Sequence, residues 1–198
     1  VGTVSLPVLA KAFKKRNMKK ISDIQNKSFE LSLLLSIPAS CGLILASNQI
    51  VNALFGYGSF SIKDVEITAI ALKFFGYGVP AFALIKILSN FFFARDNTKI
   101  PFYISTFIVI LNILISVSLF SRMGFIIIPI ATSISTWVGV IIYLYLLSLK
   151  KSLLLKRQLV INFIKILVSS IIMSLILLFA LEKFAHYLEP SSDYKAVY

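Results

Sequence analysis

Lys86 is the residue whose position points most directly to chemistry. It sits inside the apolar run Ile67–Ala94, nine residues before Arg95. On a helix rising 1.5 Å per residue, that is roughly 13 Å from the charged end of the run. A cation so deep in hydrocarbon is costly. It faces a bundle interior or a water-filled cavity, unless its long stem snorkels back to the interface. Asn90 lies one turn further on the same face, extending a polar stripe towards Arg95 and Lys99. Lys73 and Lys165 lie nearer the ends of their runs, and snorkelling accounts for both.

A second group is Asn112, Ser116 and Thr132. Asn112 and Ser116 are spaced i, i+4 and share a helix face, while Thr132 opens a cluster with Ser133, Ser135 and Thr136. Their oxygens either hydrogen-bond between packed helices or form a cation site. No intramembrane carboxylate strengthens the second reading. A third feature is a break in the helix pattern: Gly76, Gly78 and Pro80 loosen several turns together and predict a hinge. Pro38 and Pro129 interrupt other runs without such glycines beside them.

Catalytic and metal chemistry find no support. His186 is the only histidine and Cys41 the only cysteine, so neither a metal cluster nor a His-based dyad is available. No Gly-Lys phosphate loop occurs. Gly56-Tyr57-Gly58 and Gly76-Tyr77-Gly78 match part of a potassium filter, but the preceding Thr-Val is missing from both.

The elements that must carry these residues follow from composition. The chain has 198 residues, 58% hydrophobic and 14% charged, with a mean hydropathy of +0.91. An ordinary soluble domain is about 25% charged. A bilayer core needs about 20 apolar helical residues. Five runs qualify: Leu31–Phe55, Ile67–Ala94, Ile100–Ser121, Met123–Leu149 and Gln158–Leu181. The segments between them alternate in charge. Lys11–Lys27, Arg95–Lys99 and Lys150–Arg157 are rich in basic residues; Gly56–Glu66 and Glu182–Tyr198 are not, and the fourth loop has only Arg122. Positive loops stay in the cytoplasm, so this alternation gives one consistent topology. It also puts most of the net charge of +12 at an anionic lipid surface, which argues against nucleic acid as a partner.

The expected organisation is all-α, a polytopic transmembrane helix bundle. Residues 1–13 read as the end of a preceding span, and 14–27 as a basic cytoplasmic loop. Four spans fill 28–149. A second basic loop covers 150–157, an additional span 158–182 and an outer loop 183–198. Val1 is not a methionine, and the chain reads as a fragment of a larger membrane protein.

The block Gly78-Val79-Pro80-Ala81-Phe82-Ala83-Leu84-Ile85-Lys86-Ile87-Leu88, followed by Phe91 to Pro101, resembles a signature of the MurJ (MviN) lipid II flippases. Gly2-Thr3 with Leu6-Pro7 and Leu9 resembles the end of that family's eighth helix. Ile37-Pro38-Ala39 through Gly42-Leu43, then Leu54-Phe55 and Gly58-Ser59-Phe60, resembles its ninth helix and following turn. The resemblance covers most of residues 1–150.

The resemblance implies a fragment of a two-lobe, 14-helix transporter of the multidrug/oligosaccharidyl-lipid/polysaccharide (MOP) exporter superfamily. The five spans would be its helices nine to thirteen. It implies a multi-pass protein of the bacterial inner membrane that flips a lipid-linked peptidoglycan precursor by alternating access. Its partners would be that lipid-linked oligosaccharide, membrane lipids and cell-wall synthesis proteins. No cofactor is implied, and membrane potential, protons or sodium remain as sources of coupling. Lys86 would add positive potential to the lower cavity, with Arg95 and Lys99 holding the inner loop at the phosphate surface. Asn112 and Thr132 match a place where some members bind a cation, but Ser116 stands where a carboxylate would help. Thr98 would cap the helix opened by Pro101. Two other readings compete: a polysaccharide-lipid or multidrug exporter of the same superfamily, and a non-transporting membrane scaffold of cell-wall assembly.

Overall fold

Apolar side chains distributed all round a long segment give a helix that lipid can surround, and this governs the architecture. A computed structural model describes residues 2–149 and 155–183. These fold into α1 (Gly2–Lys14), α2 (Met18–Leu45), α3 (Ser47–Phe55), α4 (Ile62–Phe93), α5 (Lys99–Met123), α6 (Ile127–Leu149) and α7 (Arg157–Lys183), with no strand among the described residues. Four continuous helical stretches are long and apolar enough to cross a membrane: 18–45, 62–93, 99–149 and 157–183. The third has 51 residues, roughly 75 Å of helix and far more than one bilayer. It reverses at Gly124, whose φ of 60° and ψ of −149° suit only glycine. A single 3₁₀ turn, Gly124–Ile126, leads into α6, and α5 packs back on α6. Divided at Gly124, the four stretches give five long helices, α2, α4, α5, α6 and α7, which overlap the five runs read from the sequence.

Helix α4 is the central element, packed against α1, α2, α3 and α6, while α7 packs on α2. The main core gathers near the basic end, where Phe29 meets Phe91 at 5.5 Å and Phe92 meets Tyr143 at 5.7 Å between ring centroids. A smaller cluster of Val51, Val65 and Ala69 joins α3 to α4 at the opposite end.

The two described turns at the basic end are built alike. Arg16 and Asp96 take left-handed conformations, with φ of 48° and 56°. Asn17 N–H then bonds Ala12 O at 3.1 Å, and Asn97 N–H bonds Phe92 O at 3.1 Å, closing α1 and α4. Each asparagine also opens the next helix. Asn17 Oδ1 accepts from Lys20 N at 3.0 Å, and Asn97 Oδ1 accepts from Ile100 N at 3.2 Å.

Several boundaries differ from the sequence reading. The segment 14–27 is a loop only up to Asn17, because α2 already runs from Met18. Charge marks where the hydrocarbon ends, not where the helix begins, and lysine is a good helix former. Likewise α4 starts at Ile62, through a reciprocal cap between Ser61 and Asp64. The run Leu31–Phe55 is two helices, divided at Ala46, where the polar Ser47-Asn48-Gln49 begins α3. Thr98 makes no side-chain cap; Asn97, one residue earlier, supplies it. Residues 150–154 of the second basic loop and 184–198 of the outer segment lie outside the described residues.

Gly124→Ala should lower stability by about 1–3 kcal/mol, since it forces a side chain into a glycine-only conformation. Gly42→Ala is the control: a Cβ there meets nothing within 4 Å, so stability should stay level or rise by up to about 1 kcal/mol. Thermal unfolding of the intact protein in detergent measures both.

Candidate functional site

The residues singled out by sequence fall into three places along the bundle. Lys86 is exposed on the surface of α4, and no ion pair involves it among the described residues. Asn90, one turn on, is 6% exposed and belongs to the interior. The expected stripe from Lys86 through Asn90 is therefore split between a surface and a core position. The continuous curvature of an α-helix explains this: four residues advance the face by about 40°, enough to carry Asn90 under its neighbours.

Arg95 follows the end of α4 and is half-buried, with its guanidinium 4.4 Å from the centre of the Phe13 ring of α1. The flat cation stacks on the ring face and ties the α4–α5 turn to α1. Burial lowers the Arg95 pKa, although a guanidinium stays charged at any physiological pH. Lys99 is exposed at the first residue of α5.

Asn112 and Thr132 do come together. Asn112 Nδ2 donates to Thr132 Oγ1 at 2.8 Å, and Thr132 Oγ1 donates to Ile128 O at 2.7 Å. Ser116 Oγ is buried without a hydrogen-bond partner. The threonine oxygen is thus engaged in a helix–helix hydrogen bond between α5 and α6, the arrangement that packing alone requires. Among the described residues no group of His, Cys, Asp or Glu could hold a metal ion.

Gly76, Gly78 and Pro80 lie within an unbroken α4. A Cβ on Gly76 would come within 2.9 Å of Ile44 on α2, and one on Gly78 within 2.7 Å of Ser133 on α6. The glycines therefore let two neighbouring backbones approach α4 on opposite sides.

One polar assembly was not anticipated. At the basic end, Lys156 pairs with Asp23, and its backbone N–H bonds Asn26 Oδ1 at 2.8 Å. Asn162 Nδ2 donates to Glu30 Oε1 at 2.9 Å. These contacts lash the start of α7 to α2 beside a cleft of about 280 Å³, small against the roughly 300–1,000 Å³ of a ligand pocket. Residues Asp23, Asn26 and Glu30 recur every three to four positions on one helix face, but their partners lie about 130 residues away.

The pairing of Asn112 with Thr132 can be measured by a mutant cycle. Asn112→Leu and Thr132→Val should each destabilise the α5–α6 pair, and the double variant should cost less than their sum. A coupling of about 0.6–1.7 kcal/mol is expected, read from unfolding midpoints in detergent or bicelles.

Comparison with known proteins places these features in a family. Residues 1–197 match the family model for lipid II flippase MurJ. A probable lipid II flippase MurJ of Rickettsia prowazekii (strain Madrid E) is 37% identical over 136 residues, covering 69% of this chain and 27% of that protein. The lipid II flippase MurJ of Thermosipho africanus (strain TCF52B) is 32% identical over 171 residues, covering 86% and 34%. A solved structure of lipid II flippase MurJ, in an inward closed conformation, matches with a TM-score of 0.75 at 29% identity, covering 91% of this chain and 36% of that one. The chain spans about a quarter to a third of the length of these relatives. It belongs to the lipid II flippase MurJ family.

Proposed function

We propose that this chain forms part of one lobe of a transporter that carries lipid-linked peptidoglycan precursor across the membrane by alternating access. As a family member, it is a multi-pass protein of the bacterial inner membrane. The family is one of transporters and not of catalysts. The match over residues 1–197 carries the reading, and Lys86 gives it a physical anchor. Moving a pyrophosphate-linked sugar through hydrocarbon needs a hydrated path with positive potential. Lys86 stands exposed in an otherwise apolar stretch of α4, free to meet an anion arriving between lobes. The cleft between α2 and α7, about 280 Å³, is too small for a sugar–peptide headgroup; in this reading the path runs along a surface that the lobe shares with another. Arg95 and Lys99, at the turn between α4 and α5, would hold the basic end against lipid phosphates.

Substitution of Lys86 in the intact protein tests this. Lys86→Gln should reduce precursor flipping in proteoliposomes by about tenfold, the scale of one partly screened charge–charge contact. Lys86→Glu should reduce it further, and Lys86→Arg should retain most of it. Equal flipping by all four proteins would count against a cationic path at Lys86. A scaffold without transport activity would show no flipping even with lysine in place.

A further inference from the structure

Three side-chain donors from two helices converge on one short stretch of α4 backbone. Ser40 Oγ of α2 donates to Gly76 O at 2.7 Å, Ser133 Oγ of α6 to Phe74 O at 2.7 Å, and Trp137 Nε1 of α6 to Tyr77 O at 2.9 Å. In a regular helix the Gly76 carbonyl would accept from residue 80. Pro80 has no N–H to give. Hydrocarbon offers no water in its place, so Ser40 takes over the orphaned carbonyl.

Ser40 is the last of four serines on one face of α2. Ser28, Ser32, Ser36 and Ser40 recur every fourth residue, and all four are buried. Ser36 is 5% exposed, and its hydroxyl has no hydrogen-bond partner. A buried donor without an acceptor is unfavourable. It therefore stands one helical turn from the place where Ser40 is satisfied. Gly76 offers no side chain to block α2, whose Ile44 and Leu43 lie over it, and the serines let the two helices approach closely.

We infer that the Gly76 carbonyl is a shared acceptor for a one-turn register shift of α2 along α4, occupied by Ser40 in the state seen here and by Ser36 in the other. The shift moves α2 by about 6 Å, four residues at roughly 1.5 Å each. At the Gly76 carbonyl the two registers exchange one hydrogen bond for an equivalent one, while the Phe29–Phe91 contact and the ties to Lys156 belong to the first register and favour it. Ser133 and Trp137 hold α4 against α6 throughout, so that α2 moves and α4 does not. Ser36 and Ser40 are thus positioning residues that act on backbone geometry and touch no substrate. The inference rests on the alternating-access reading, for which it supplies a moving part.

Spin labels at Met18 of α2 and Phe93 of α4, both exposed, report the register in the intact protein with Cys41 replaced by serine. The expected result is a distance distribution with two populations. Ser40→Ala should shift it towards the second register and Ser36→Ala towards the first, each by about 3- to 20-fold. Ser40→Thr, which keeps the hydroxyl, should retain the original distribution and serves where the alanine variant folds poorly. In a Pro80→Ala background the ladder bond returns, and the Ser40→Ala effect should vanish. A single population in every variant, a shift of the same sign for Ser36→Ala and Ser40→Ala, or an undiminished Ser40→Ala effect beside Pro80→Ala overturns the inference. A merely structural Ser40 would lower thermal stability without moving the populations. Flipping assays on the same samples keep the two proposals apart. Register shifts in a protein that flips nothing would sink the transport reading alone.

Discussion

A backbone carbonyl inside hydrocarbon must find its donor within the protein, and the arrangement of this lobe follows from that constraint at Gly76. Pro80 removes the donor that the helix itself would supply. The replacement has to arrive from outside α4, and Ser40 brings it. For a serine to reach a carbonyl at 2.7 Å, the two helices must lie unusually close. That closeness is possible because residue 76 has no side chain. On the other side Gly78 admits Ser133, which donates to the Phe74 carbonyl. In a regular helix that carbonyl has the Gly78 N–H as its ladder donor, so Ser133 adds a bond where Ser40 replaces a missing one. Pro80 thus accounts for the approach of α2, and a helix with alanine at position 80 would not need it.

Charge obeys a second constraint and sorts itself towards one end. The α1–α2 turn, the α4–α5 turn and the start of α7 are brought together there by Arg95 over Phe13 and by Lys156 on Asp23. These are the segments for which the positive-inside rule predicts the cytoplasmic side. The turns are tight, with left-handed residues Arg16 and Asp96 where glycine would be easier. In both turns an asparagine closes one helix and caps the next, so a single residue satisfies orphan groups of two helices. This economy keeps irregular backbone short at the edge of the bilayer.

Much of the fold was legible because it depends on hydrophobicity along the chain. The spans follow from runs of apolar residues, and the family was legible in the resemblance of the block around Lys86. The Gly76–Pro80 break could also be located, since proline removes a donor wherever it occurs. What the break does could not be read, because its donors, Ser40, Ser133 and Trp137, are 36 to 60 residues from their carbonyls. Serines in a membrane helix look alike until the facing helix is known. The beginning of α2 was misplaced because lysines end the apolar run without ending the helix. The division at Ala46 was hidden because Ile50, Val51 and Leu54 restore apolarity just beyond it. Spacing from Pro101 points to Thr98 as the cap, but the left-handed Asp96 sets the register one residue earlier, at Asn97. The α2–α7 contacts needed a partner about 130 residues distant, and no local pattern supplies that.

Lys86 and Lys156 show two different ways of placing a cation in such a lobe. Lys156 lies at the end of the bundle, has Asp23 beside it and holds α7 in position. It resembles a structural tie, worth little in free energy because both partners are half in solvent. Lys86 lies well inside α4, and no carboxylate pairs with it among the described residues. Among the described residues no ion pair offsets the cost of keeping it charged away from water. Such a residue destabilises the isolated lobe and becomes favourable only when water or an anion reaches its face. In the proposed transporter that difference is useful: the interaction is absent from the empty state and present when a pyrophosphate passes. An ammonium suits the task better than a guanidinium, since a compact charge on a flexible stem can follow a moving anion without fixing it in a bidentate grip. Tight binding at one point of the path would slow the cargo, whereas a single mobile charge lowers the barrier and lets go.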